Sequence, residues 1–247
     1  MEEQKANVRA VERALEILMC FTDSTDLGLS EIANRLSLHK STVHRLLATL
    51  ENKGFLIRDV QTEKYRLGFR IWELSANLTH NDDPATVLLP EMERLRDLIE
   101  ETISLYIRDG KERIRIQAVQ SRQPIRRVAP VGARMPLAVG ASSKVLVAYA
   151  EPSLLEELLN DEEWPDYVDR GSYVEQLEQI KEQGYATSVE EREQGTAAVA
   201  APIFNRNGQL VAALAASGPS NRLTPEKMKE YAPYILEAAY RMGKMMR

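Results

Sequence analysis

Between Glu31 and Glu51 the chain carries no acidic side chain, yet it holds Arg35, His39, Lys40, His44 and Arg45. The same interval reads as two short helices on a tight connection. Ser30 is a good N-cap for the first, with Glu31, Ile32, Ala33 and Leu36 following. Ser37-Leu38-His39 makes the turn, with a serine where glycine is common. Lys40 to about Lys53 forms the second helix, which Gly54 ends. Its inward stripe is Val43, Leu46, Leu47 and Leu50, which leaves Lys40, Ser41, Thr42, His44, Arg45 and Thr49 on the opposite face. Small Ala33 lets the two helices approach. A pair of this kind is a helix-turn-helix unit, whose second helix is built to enter a DNA major groove. The net charge of −5 does not oppose this. Charges balance through residue 75, the deficit lies beyond it, and phosphate contacts are short-ranged and screened.

The flanks extend the unit. Val8, Val11, Leu15, Leu18 and Phe21 recur at three- and four-residue steps and predict a helix over Val8–Thr22, with Cys20 as a small core residue. Phe55–Arg58 and Lys64–Leu67, separated by Asp59–Glu63, predict a hairpin wing that offers Arg58, Lys64 and Arg66 to phosphates. From Gly68, Ile71, Leu74 and Leu78 form a helical stripe with Trp72 beside it, ended by His80–Pro84. So short a helix is not stable alone. It docks either on a partner subunit's equivalent helix, which would fix the spacing of two winged units, or on its own protein.

With 247 residues the chain has room for two domains. One cysteine excludes a disulfide framework and a multi-cysteine metal site. No apolar run is long enough to span a bilayer, and Met1–Lys5 lacks an export pattern, so the expected location is cytoplasmic, away from membranes.

The second half reads as helices gathered on hairpins. A helix with stripe Leu88, Met92, Leu95 and Ile99 opens it. Ile103-Leu105-Ile107 and Ile114-Ile116-Ala118 alternate about Asp109-Gly110, which predicts a period-two hairpin. Gln123–Gly140 reads as a loop, and a helix starts near Ser143 with Val145, Leu146, Ala148 and Tyr149 inward. Helices are predicted at Ser153–Leu159 and Tyr173–Gln183, then a strand at Tyr185–Ser188. Ala197–Phe204 and Gln209–Ser217 form a hairpin on Asn207-Gly208, alanine-rich and buried on both faces, with space for a further layer or a ligand. Thr224-Pro225-Glu226 starts a last helix that Pro233 should bend. This is an α+β sensor-like sheet rather than a parallel nucleotide-binding one.

Catalytic constellations are weak. Ser142-Ser143-Lys144 has no supporting base. Two of the histidines sit on the basic helix or beside it, and Val139–Lys144 lacks phosphate-loop spacing. Glu190, Glu191 and Glu193 read as a solvated turn, and no metal or cofactor is expected. A sensor acting through protein contacts is the competing reading, which the acid-free helix disfavours.

Val11–Leu18, Leu29–Ala33, Lys40–Leu47 and Tyr65–Gly68 resemble the N-terminal domain of IclR-family transcriptional regulators. Gly132–Leu137, Gly184–Ala186, Glu190-Glu191, Gly195, Ala200–Ile203 and Gly218–Thr224 resemble that family's effector domain, in the family's order. The resemblance implies an α+β protein without catalysis. It would have a winged helix-turn-helix domain (residues 1–68), a linker helix (69–84) and a GAF-like effector-binding and oligomerisation domain (85–247). It implies double-stranded operator DNA and a small-molecule effector as partners, in a homodimer or dimer of dimers. Expected DNA contacts are His39, Lys40, Ser41, Thr42, His44, Arg45, Arg58, Lys64 and Arg66. Family pocket positions carry over as Arg127, Met135, Ala141, Ser142, Ser188, Thr196 and Ala198. Ser188 stands where some members have an acid, and Ala198 where a cysteine is common. The hydroxyls, together with backbone N–H groups where Ser142 and Ser143 begin a helix, suit a small organic or sugar-derived acid. Repression is the preferred sign of regulation, though the residues are compatible with either.

Overall fold

The computed structural model describes residues 8–76, 84–126 and 130–246, with the side chains of Ser75 and Ala76 left aside. The chain divides into two compact units, Met1–His80 and Asn81–Arg247.

In the first unit, helices α1 (Arg9–Met19), α2 (Leu29–Arg35) and α3 (Lys40–Asn52) precede strands β1 (Leu56–Arg58) and β2 (Tyr65–Leu67) and helix α4 (Phe69–Ala76). Val43, Leu47 and Leu50 of α3 are buried with Ile17, Ile32, Ala33, Leu56 and Tyr65, and Leu46 packs at the margin. Helix α2 begins one residue before its expected cap. Gly28 is the N-cap, and its N–H donates to the Glu31 carboxylate at 2.6 Å. The wing is a two-stranded antiparallel ladder with Ile57 opposite Arg66. Asp59 shapes its tip by accepting from the N–H groups of Gln61 and Thr62, bonds that hold its carboxyl below the usual range.

The expected α1 face is met in part. Cys20 and Phe21 enter the core with Ile17, and Leu18 packs at its margin, but Val8, Val11 and Leu15 lie outside, 54–65% exposed. The apolar arc of α1 is wider than the core it covers, so periodicity alone does not choose which part faces in. On α4, Phe69 and Trp72 are also exposed. Leu78 and His80–Asp83, read as the end of that helix, lie outside the described residues.

Ser37 takes the left-handed conformation, φ 52°, in the turn between α2 and α3. An L side chain is disfavoured there, whereas glycine is not. Ser37→Gly is therefore expected to stabilise this unit by about 0.5–1 kcal/mol, read as a shift in the urea midpoint. An unchanged or lower midpoint would count against strain at this turn.

The second unit contains α5 (Pro84–Val87), α6 (Leu89–Ile99), β3 (Thr102–Asp109), β4 (Glu112–Val119), β5 (Arg134–Pro136), α7 (Ala141–Ala148), α8 (Pro152–Leu159), α9 (Arg170–Gln183), β6 (Ala186–Val189), β7 (Thr196–Phe204), β8 (Leu210–Pro219) and α10 (Pro225–Met245). Among the described residues the strands form one antiparallel sheet, in the order β5-β4-β3-β8-β7-β6. Helices α6 and α10 cover one face, over Ile103, Leu105, Val199 and Leu214. Helices α7, α8 and α9 cover the other, over Tyr106, Ala200, Ala213 and Ala215. The alanines at the sheet centre let α7 sit close, and all eight of its residues are buried. Helix α10 continues through Pro233.

Both faces of β4 are covered, with Ile116 against the α6–α10 core and the arginines in the opposite layer. Arg113 and Arg115 are 5% and 1% exposed, whereas Ile114 and Ile116 are half-buried. The arginine face points into the α7 layer, where Tyr106 and the turn before α7 give the guanidinium groups partners. The stretch expected as a loop over Gln123–Gly140 contains the edge strand β5, where Pro136 is tolerated.

Candidate functional site

Each unit presents one chemically distinctive surface. In the first, α3 projects Lys40, Ser41, His44 and Arg45 into solvent, with Thr42 half-buried and the N-cap His39 exposed. Its first turn holds no acid, so the positive end of the helix dipole is not neutralised there. The Val43–Leu47–Leu50 stripe fixes the helix from behind, which holds this polar face in place. On the wing, Arg58 pairs with Glu63 at 2.9 Å and Lys64 with Asp26 at 2.8 Å, while Arg66 is exposed. The bond to Asp26 raises the Lys64 pKa. Any phosphate contact by Arg58 or Lys64 thus begins by exchanging an existing carboxylate partner.

In the second unit a small cavity opens where β6, β7 and β8 meet the start of α7. Ala141, Ser142, Ser188, Thr196 and Ala198 all line it. The register explains their convergence: Ser188 lies opposite Ala198, and Ala198 opposite Ser217, so one row across the sheet forms the floor. Met135 does not line the cavity. It backs it, with its Sδ 3.9 Å from Arg113 Nη2. Arg127 lies outside the described residues.

Several lining residues were not expected. Arg113 reaches in from β4, and its Nη1 donates to the Val139 carbonyl at 2.9 Å and to the Ser143 hydroxyl. It also stacks on Tyr106 at 5.3 Å, and the Tyr106 hydroxyl accepts from Arg115 at 2.7 Å. Gly140, the N-cap of α7, has φ +94°, and a Cβ there would stand 3.0 Å from an Arg113 nitrogen. Glycine is required both by the backbone and by the close approach of the cation. The β6–β7 loop supplies Glu191 and Arg192 at the rim. Ser217 is 6% exposed, and its Oγ has no hydrogen-bond partner among the described residues. A buried cation, a helix N-terminus and unfilled hydroxyl capacity suit a small anionic ligand carrying oxygen atoms. The sequence signal for Arg113 is the alternation of arginines with isoleucines along β4, which does not by itself mark the arginines as buried.

Lys144 Nζ donates to Gln176 and Glu191, not to a serine, so no serine–lysine pair forms. Among the described residues no cluster of histidine, cysteine and carboxylate side chains could hold a metal, and no helix is long and apolar enough to cross a membrane.

Residues 76–243 match the family model for the C-terminal domain of the bacterial transcriptional regulator IclR, and residues 10–60 match the IclR helix-turn-helix domain. The HTH-type transcriptional regulator KdgR of Escherichia coli K12 is 30% identical, over 100% of this chain and 95% of that protein. The HTH-type transcriptional repressor AllR of the same organism is 33% identical over 94% and 88%. Among solved structures, an IclR homolog from Microbacterium hydrocarbonoxydans complexed with 4-hydroxybenzoate superposes with a TM-score of 0.85 at 26% identity, covering 96% of this chain and 99% of that one. The regulator from Alicyclobacillus acidocaldarius gives 0.79 at 26% identity, over 98% and 100%.

Proposed function

Because the chain belongs to the IclR family of bacterial transcriptional regulators, a DNA-binding helix-turn-helix domain with an effector-binding domain and no enzymatic role, we propose that it is a repressor released or tightened by a small organic or sugar-derived acid. The observation that carries the effector class is the buried Arg113 guanidinium beside the α7 N-terminus in the cavity of the second unit. The compact volume favours a small molecule, and hydroxyls of Ser142, Ser188 and Thr196 favour one rich in oxygen. The 4-hydroxybenzoate bound by the Microbacterium homolog is itself a carboxylate, which supports the same class.

On the DNA side, α3 enters the major groove. Arg45 reads a guanine, Lys40, Ser41, Thr42, His39 and His44 contact phosphates or base edges, and Arg58, Lys64 and Arg66 hold the backbone from the wing. The exposed apolar residues of α1, Val11, Leu15 and Met19, are proposed as surface that a second copy covers in a homodimer or dimer of dimers. Two α3 helices then meet half-sites one or more helical turns apart.

The test is footprinting on DNA flanking the protein's own gene, with and without a panel of small acids. Protection of a two-fold site that one acid weakens or strengthens is the expected result. Absence of any protected site at low salt would sink the reading. Arg45→Ala should weaken binding to that site by about 1–3 kcal/mol and relax preference at one base pair. Equal affinity of variant and parent in gel-shift titrations at fixed salt would remove Arg45 from base readout.

A further inference from the structure

The anion position at the start of α7 is already taken by the protein's own carboxylate. Glu191 Oε2 accepts from the Gly140 N–H at 2.9 Å, and Oε1 accepts from Lys144 Nζ at 2.6 Å. Lys144 is 3% exposed and holds Gln176 at 2.9 Å as well, so the ammonium is fixed rather than swinging in solvent. Glu191 belongs to the six-residue β6–β7 loop. Glu190 at one end is left-handed, φ 55°, and its carboxylate accepts from Ser220 at 2.8 Å, while Gly195 at the other end has φ +72°. Ser220 N–H also donates to the Gly195 carbonyl at 2.8 Å, and the Glu191 carboxylate ties the loop to the start of α7. Inside, Ser217 Oγ stands buried without a partner among the described residues.

We propose that Glu191 is a built-in stand-in for the effector's carboxylate, and that effector binding is an exchange of carboxylates at the Gly140–Lys144 position which frees the 190–195 loop. This rests on reading the cavity as the effector site. Arg113 and the α7 N-terminus attract an incoming carboxylate from within the cavity, and Lys144, which lines the adjoining cavity on the far side of Glu191, attracts it from behind, but a second anion beside Glu191 is repelled at close range, so the two do not share the position. Glu191 thereby sets both affinity and charge preference. A monocarboxylate replaces it charge for charge, a neutral amide of the same shape has too little to offer Lys144, and a dicarboxylate brings one charge too many. The Ser217 hydroxyl in the same cavity, without a partner among the described residues, favours a ligand that carries an oxygen besides its carboxylate, so a compact hydroxy or keto monocarboxylate is the class that fits. Differential affinity for the latched and unlatched loop is what a ligand needs in order to shift a conformational equilibrium.

The experiment uses the full-length protein with lactate, lactamide and malonate as probes. Affinity is read by NMR titration, and loop protection by amide hydrogen exchange. Lactate should bind the parent in preference to lactamide and malonate, and should lower protection of the 190–195 amides. Glu191→Gln should bind lactate about tenfold more tightly and show a deprotected loop without ligand. Glu191→Asp, which keeps a charge near Lys144 in case the glutamine variant folds poorly, is too short to keep both bonds and should show the same change in smaller degree. Lactate binding that is equal or weaker in both variants, or a loop that becomes more protected on binding, would overturn the exchange while leaving the cavity as effector site. If none of the probes perturbs cavity residues in any of the three proteins, the exchange and the acid-effector reading fall together.

Discussion

Arg222→Ala should destabilise the effector domain by about 3 kcal/mol, at the lower end of the range for breaking a buried ion pair because Arg222 is itself partly exposed. Its partner Glu101 is 2% exposed, and its two carboxylate oxygens accept from Arg222 Nε at 2.5 Å and Nη2 at 2.8 Å. The same Nη2 donates to the Ile125 carbonyl at 3.1 Å, so one guanidinium ties the end of β8 to the start of β3 and to the segment after β4. Truncation leaves a carboxylate buried without its cation, and the loss of that compensation outweighs the loss of the contact. Adding Glu101→Gln to the variant removes the stranded charge and should restore about 1 kcal/mol. Urea unfolding followed by circular dichroism measures both. A single variant within about 0.5 kcal/mol of the parent would show that water reaches Glu101 well enough to replace the arginine.

Arg113→Met should abolish the response to the effector while leaving operator binding without effector intact. The side chain sits in the cavity with its Nη1 on Val139 and Ser143, and Gly140 packed against its nitrogens. Hydrogen bonds to a charged group are worth about 1.5–3 kcal/mol, so effector affinity should fall about 10- to 100-fold. Methionine fills similar volume without a buried charge, a replacement that buried sites tolerate. Calorimetric titration with the acid identified by footprinting, alongside gel shifts without it, separates the two effects. Unchanged effector affinity in a folded variant would move the anion-binding role elsewhere.

The reading helix was legible in the sequence because α3 has one apolar stripe and one polar face, and only one orientation buries the stripe. On α1 the same argument placed Phe21 and Cys20 inside but failed for Val11 and Leu15, since they compete with Ile17 for the core on one wide apolar arc and only the packing decides. On β4 the rule that charge faces water failed, because Tyr106 and the Val139 carbonyl lie across space, not along the chain. The cavity was half legible. Ala141, Ser142, Ser188, Thr196 and Ala198 came through family resemblance, whereas Arg113, Glu191 and Ser217 meet them only through sheet register and loop closure.

Helix α7 has no side facing solvent, being enclosed between the sheet and α9. A rod packed on its whole circumference cannot translate without opening a void on one flank and a clash on the other. Substitutions that retune ligand preference are therefore confined to the strand ends and the rim. The chemistry a protein of this design senses can drift there by single exchanges, while the foundation beneath stays fixed.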